Sequence, residues 1–239
     1  IVGGGGMDTL EGSNASNAVV IDSLNGGTLT VGTTITFSEV ETVDGRDGDD
    51  SFTVTATGDV DGSLIGGDGV DDLIGSSDDE VFNVTTPGGG TLTRTGLVPA
   101  TLTFTTMENL DGGDGDDTFD IDATLDGNIN SGVGDDIFDI AADVGGSLNG
   151  GVGDDTFTVA AVVAGDLNGG SGTDTLTLVD PNGQILGTVS NVSVLLDVPG
   201  TVNNDTITVG LDSAGVLQVT VDDGINPPTT RSYFTPAAQ

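Results

Sequence analysis

The chain contains no cysteine, no histidine and no tryptophan. Without cysteine there is no disulfide framework and no thiol chemistry. Without cysteine and histidine together, soft and borderline metals lack their preferred ligands, which leaves hard cations held by oxygen. Lysine is also missing. Arg46, Arg94 and Arg231 stand alone against 39 acidic residues, and the net charge is −36. That balance excludes nucleic acid and anionic membrane surfaces as partners. The longest aliphatic run is Val159–Ala164, too short to span a bilayer, so no membrane insertion is expected. Aromatic residues are 4% of the chain, with Tyr233 the one tyrosine, so platforms for stacking on sugar rings are scarce. The chain opens Ile-Val-Gly, with neither an initiator Met nor a signal-peptide pattern. We expect it to be cut from a longer array, RSYFTPAAQ at 231–239 leading into a further IVGGGG.

What the chain has is glycine, 41 residues of it, and aspartate. An acidic, glycine-rich chain would ordinarily be read as disordered. Residues 112–179 argue otherwise. In steps of nineteen they run GGDGDDTFDIDATLDGNIN, SGVGDDIFDIAADVGGSLN, GGVGDDTFTVAAVVAGDLN and GGSGTDTLTLVD. Phe119, Phe138, Phe157 and Leu176 keep this spacing, and so do Ile121, Ile140, Val159 and Leu178. A fixed period near twenty is the signature of stacked repeats.

Within one step, Phe119, Ile121, Ala123 and Leu125 alternate, and Ile129 follows after a glycine. This is a strand pattern with one face buried. One step cannot enclose that face. Steps stacked about 4.8 Å apart can, each apolar residue sitting over its equivalent. The Phe column is therefore read as core. The same stacking superposes Asp117 on Asp136, Asp155 and Asp174, and Asp116 on Asp135 and Asp154. Carboxylates about 5 Å apart repel by on the order of 3 kcal/mol at an effective dielectric of 20. With three arginines in the chain, side chains cannot neutralise such a column, and a bound cation can. Calcium suits flexible, carbonyl-rich loops better than magnesium, which demands tight octahedral geometry.

The loops fit G-G-x-G-x-D-x-U-x, U being a large apolar residue, at 3–11, 66–74, 112–120, 150–158 and 169–177. Near matches lie at 131–139 and 45–53. The chain thus resembles the calcium-binding nonapeptide repeats of RTX (repeats-in-toxin) proteins. The resemblance implies Ca²⁺ held between successive coils by the sixth-position Asp and by backbone carbonyls of the turn, with secretion unfolded and folding outside the cell. It places multiple calcium ions at Asp117, Asp136, Asp155 and Asp174, with Asp8, Asp50, Asp71 and Asp205 as further ligands and Asp116, Asp135 and Asp154 beside them. The loop glycines implied are Gly113, Gly115, Gly132, Gly134, Gly151, Gly153, Gly170 and Gly172. RTX arrays place a loop at both ends of each coil, whereas 112–179 has one per nineteen residues. In that it looks like calcium-bound segments of certain long bacterial surface adhesins.

The rest of the chain divides on either side of these steps. Residues 1–111 hold a duplication of about 65 residues: Asp8 and Asp71 are 63 apart, as are Asn17 and Glu80. GGTLTVGTTITFSEVETVDGRDGDDSF at 26–52 parallels 89–119, which carries four extra residues around Pro99. Its Thr-rich spacers favour strands. After 179 the register breaks, and 180–239 is expected to form divergent β-rich coils with a proline-containing end.

We expect an all-β fold, a right-handed parallel β-solenoid of about ten to twelve coils. Its expected role is a calcium-stabilised structural segment of a secreted bacterial surface protein, adhesin or extracellular matrix, folding as it binds the ion. A self-stacking filament or surface-layer subunit, or a module that binds polysaccharide or ice, remains open. Other copies of the chain and surface polysaccharide are the further partners considered. An enzyme is not expected, because a site acting on acidic sugars would need more than three arginines. Outward Asp120, Asp122 and Asp139 read as a solvated face, the Thr-x-Thr pairs as strand formers, and the Asn-x-Ser/Thr sequons as chance.

Overall fold

The computed structural model describes residues 1–94, 101–179, 183–197, 206–211, 217–222 and 229–232, and these are all β. Two sheets carry the fold. The first holds, in spatial order, Thr9–Glu11, Thr42–Asp47, Ser63–Asp68, Thr101–Thr105, Gly89–Arg94, Glu80–Thr86, Thr118–Ile121, Ile137–Ile140, Thr156–Val159, Thr175–Val179 and Ser193–Asp197. The second runs Thr33–Ser38, Gly26–Val31, Ala18–Ser23, Ser51–Val54, Asp72–Ile74, Asn109–Asp114, Ile129–Val133, Leu148–Val152, Leu167–Ser171 and Val189–Ser190. From Asn109 to Asp197 the chain alternates between them, and neighbours within each sheet are parallel.

The nineteen-residue period sets the register. Phe119 pairs with Phe138, Phe138 with Phe157 and Phe157 with Leu176. In the second sheet Leu110, Ile129, Leu148 and Leu167 align the same way. The period-two alternation of each strand becomes alternation of burial, Phe119 and Ile121 inward, Thr118 and Asp120 outward. Inward residues of both sheets form one core with a short third column, Leu125, Val144, Val163 and Ile185. Rings of Phe82, Phe119, Phe138 and Phe157 stack at centroid separations of 4.9, 5.1 and 4.3 Å, as the core reading expected. The outward face of the first sheet mixes Asp, Thr and Ile along its rungs. Among the described residues no helix is long and apolar enough to cross a membrane.

The stack is not purely parallel. Each copy of the duplicated unit contains an antiparallel three-stranded meander: Ala18–Ser23, Gly26–Val31 and Thr33–Ser38 in the second sheet, and Glu80–Thr86, Gly89–Arg94 and Thr101–Thr105 in the first. Two-residue turns cause this, Leu24-Asn25 with Asn25 at φ 54° and Pro87-Gly88 with Gly88 at φ 61°. Beyond the stack, Thr206–Leu211, Leu217–Asp222 and Thr229–Ser232 form a separate antiparallel sheet rather than further coils. Each pairs antiparallel with its neighbour in sequence, unlike the parallel rungs of the stack.

The equivalent strands of the two copies lie in opposite sheets. Thr9–Glu11 belongs to the first sheet and its counterpart Asp72–Ile74 to the second. From Thr9–Glu11 to Asp72–Ile74 the chain runs through first, second, first, second, first and second sheet, an odd number of crossings. The duplication therefore carries its loops from one edge of the stack to the other.

Candidate functional site

Because strands of one sheet point the same way apart from the meander reversals, loops leading from the first sheet to the second share one edge. Those leading back share the other. Loops 12–17, 45–50 and 66–71 lie on the first edge. Loops 3–8, 75–80, 112–117, 131–136, 150–155 and 169–174 lie on the second. The single loop per step in 112–179 and the denser loops before it are thus one scheme, with the acidic column changing edge midway.

Sixth-position residues form hydrogen-bonded ladders. Each peptide N–H donates to a carboxylate one rung on: Asp117 to Asp136 Oδ1 at 2.7 Å, Asp136 to Asp155 at 3.0 Å and Asp155 to Asp174 at 2.9 Å. Glu80 N–H starts this ladder by donating to Asp117 at 2.8 Å. On the opposite edge Asn17 N–H donates to Asp50, Asp50 to Asp71 and Asp71 to Glu108 Oε2, at 2.6, 2.8 and 2.8 Å. Asp8 N–H donates to Glu41 Oε2 at 2.8 Å. The fifth-position ladder is exposed and runs the other way. N–H groups of Asp135, Asp154 and Thr173 donate back to Oδ1 of Asp116, Asp135 and Asp154. Successive rungs are joined in both directions, and backbone dipoles, absent from the sequence argument, take up part of the stacked charge.

The glycines make this approach possible. Gly113, Gly132, Gly151 and Gly170 have φ between 98° and 103°, and Gly115, Gly134, Gly153 and Gly172 between 118° and 151°, a region that side chains disfavour. A Cβ on Gly132 would lie 1.9 Å from the Gly113 carbonyl oxygen of the rung before. Arg46 takes the second-glycine place in its loop, with φ 78°, and its guanidinium reaches Glu11 at 3.2 Å.

The first glycine of each loop has a different role. Its missing side chain leaves a point on which two acceptors converge. A Cβ on Gly112 would lie 2.2 Å from Asp117 Oδ2 and 2.6 Å from the Ser131 carbonyl oxygen. The same pair recurs at Gly45 (Asp50 Oδ2, Gly66 O), Gly66 (Asp71 Oδ2, Thr106 O), Gly150 (Asp155 Oδ2, Gly169 O) and Gly3 (Asp8 Oδ2, Glu39 O). Oδ2 of Asp8, Asp50, Asp71, Asp117, Asp136 and Asp155 is buried without a hydrogen-bond partner. A buried acceptor facing a second acceptor is costly unless a proton or a cation joins them. Among the described residues no three acidic side chains converge on one point, so the oxygens on offer are one carboxylate with backbone carbonyls, a donor set that suits Ca²⁺.

The carboxyl groups respond to this setting. Burial, reinforced by the charges of Glu80 and Asp136, pushes Asp117 up to about 8 against the bond from Glu80 N–H. Asp71 and Asp155 rise to about 6, burial again being the main cause. Asp50 and Asp136 are raised for the same reason.

Asp8, Asp50, Asp71, Asp117, Asp136, Asp155 and Asp174 therefore occupy equivalent ladder positions, on two edges rather than in one file. Asp116, Asp135 and Asp154 stand outside as connectors between rungs. Asp205 lies outside the described residues. Sequence reasoning missed Glu41 and Glu108, which accept the last N–H of their ladders. The signal was present, since each stands four residues before the first glycine of the following loop, in VETVDG and MENLDG. No protein-family model matches the chain, and no curated protein is detectably similar to it.

Proposed function

We propose that the chain is a right-handed parallel β-solenoid of the RTX kind, a calcium-stabilised structural segment of a secreted bacterial surface protein, adhesin or extracellular matrix. The observation that carries this is the repeated convergence of an unpartnered, buried Asp Oδ2 and a carbonyl oxygen of the next rung on the vacant side of the first glycine. Asp8, Asp50, Asp71, Asp117, Asp136, Asp155 and Asp174 would hold Ca²⁺, with loop carbonyls completing the donor set. The ion supplies the positive charge that 39 acidic residues and three arginines lack. The role is mechanical rather than catalytic: metal-free chain is expanded by its own charge, and millimolar extracellular calcium closes the loops and zips the rungs. Circular dichroism during a calcium titration, reversed with EGTA, tests this. Gain of β signal with calcium is expected; a spectrum indifferent to calcium and to chelator overturns it.

A further inference from the structure

Two loops depart from the scheme. Loops 12–17 and 75–80 carry Ser13 and Ser76 where the others have the second glycine or Arg46, and no residue in either adopts a left-handed φ. Both close on themselves. Ser13 N–H and Oγ reach Asn17 Oδ1 at 3.0 and 3.2 Å. Ser76 N–H donates to the Glu80 carboxylate at 3.2 Å, and Ser76 Oγ donates to it as well.

Loop 12–17 also satisfies the place that elsewhere holds two facing acceptors, whereas across Gly75 Glu80 Oε2 still faces the Gly112 carbonyl oxygen and is met by the Ser76 N–H instead. Asn17 Nδ2 donates to the Gly45 carbonyl oxygen at 3.0 Å and to Asp50 Oδ1 at 2.7 Å. Glu80, 1% exposed, has its Ser76 donors. It also pairs in the sheet register with Arg94, a 4% exposed cation that bonds Thr55 O at 2.7 Å and lies 3.8 Å from Asp59. Neither Asn17 nor Glu80 has a buried side-chain atom without a partner, in contrast to Asp50, Asp71, Asp117, Asp136 and Asp155.

Their positions are equivalent. Asn17 is the first rung of the ladder that ends at Glu108, and Glu80 the first rung of the ladder that ends at Asp174. Each lies at the edge where its copy of the duplication opens a new column.

We infer that loops 12–17 and 75–80 are cation-independent starter rungs, whose own donors stand in for a metal ion and fix where each cation column begins. This rests on the calcium reading above and adds which rungs stay unloaded. Ser13 and Ser76, with Ala15 and Asp78 in the fourth place, stand where the other loops turn left-handed at glycine or Arg46, and the serine supplies a donor to the sixth-position side chain.

The test is the number of calcium ions per chain, by titration against a chromophoric chelator with the protein as competitor. Ser13→Gly with Asn17→Asp, and Ser76→Gly with Glu80→Asp, are each expected to bind one ion more than the parent. Glu80→Gln is expected to keep the parent number, because Gln retains an acceptor for Ser76. An unchanged number in a double variant that folds, or one ion fewer in Glu80→Gln, overturns the inference. If a double variant does not fold, Glu80→Gln decides alone. A parent that binds no calcium overturns the underlying reading instead, and the two failures are distinct.

Discussion

Asp117 Oδ2 and the Ser131 carbonyl oxygen converge on the vacant β-position of Gly112, 2.2 and 2.6 Å from it. Asn17 shows what happens when one of two such acceptors becomes a donor, since its amide bonds the Gly45 carbonyl at 3.0 Å. Asp117→Asn should therefore act oppositely in two conditions. In chelator it relieves a buried unpartnered acceptor and raises stability by about 1–2 kcal/mol, or about 2–8 °C in melting temperature. In calcium it removes a ligand, and the stabilisation gained from the ion falls. Melting curves with EGTA and with calcium check this; a loss of stability in both would show the Asp117 carboxylate to be satisfied without metal.

The glycines offer a contrast within one loop type. Gly132 has φ 103°, and a Cβ there would meet the Gly113 carbonyl oxygen at 1.9 Å. Gly5, in the third place of its loop, has open space around it and no left-handed φ. Gly132→Ala should cost about 2–4 kcal/mol through strain and rung separation, while Gly5→Ala should stay within about 0.5 kcal/mol. Urea midpoints of the two variants measure the difference. Equal effects would mean that close approach of rungs does not limit the loops.

How much of this was legible depends on periodicity. Phe119, Phe138 and Phe157 announce their stack because nothing interrupts the nineteen-residue spacing, and the buried face of every strand there follows from alternation. The meanders were hidden because Leu24-Asn25 and Pro87-Gly88 sit in Thr-rich spacers that read as strand without stating direction. The change of edge was hidden for a different reason. Whether 63 residues amount to an odd or an even number of crossings depends on how many strands a spacer makes and in which sheet they stay. The hydrogen bonds from N–H to carboxylate could not be read at all. Side-chain spacing predicts repulsion between Asp117 and Asp136, and the peptide dipole that tempers it has no letter in the sequence.

The ring stack yields a packing prediction. Phe138 is fully buried between Phe119 at 5.1 Å and Phe157 at 4.3 Å. Phe138→Ala removes both contacts and leaves a cavity, at a cost of about 3–5 kcal/mol. Phe138→Leu should cost less than half of that, because the column already passes from Phe157 to Leu176 in register. Denaturation in saturating calcium measures both. A Leu variant as unstable as the Ala variant would mean that ring stacking, rather than filled volume, holds the column.

The final prediction concerns pH, with its sign set by burial. Asp117 rises from 3.8 to about 8, and Asp71 and Asp155 to about 6. A carboxyl raised on folding favours the folded state in its protonated form. The stability it lends is complete below 3.8 and is lost as pH rises through the folded value. In chelator, stability should fall steeply from about pH 4 to about 6, where folded Asp71, Asp155 and Asp117 all keep protons that the unfolded chain has lost, then more gently to about pH 8, where Asp117 alone does so, and level off above that. Asp117→Asn should erase the gentle stretch between about pH 6 and 8 and make the steep one shallower without abolishing it. In calcium the slope reverses in acid, because protons displace the ion from the same oxygens and the chain weakens as pH drops. The two stability curves should therefore approach one another as the solution is acidified and diverge above neutrality. Urea midpoints from pH 4 to 9, with and without EGTA, trace both. A chelator curve that rises with pH would place these carboxylates in contact with water or donors rather than beneath the loops.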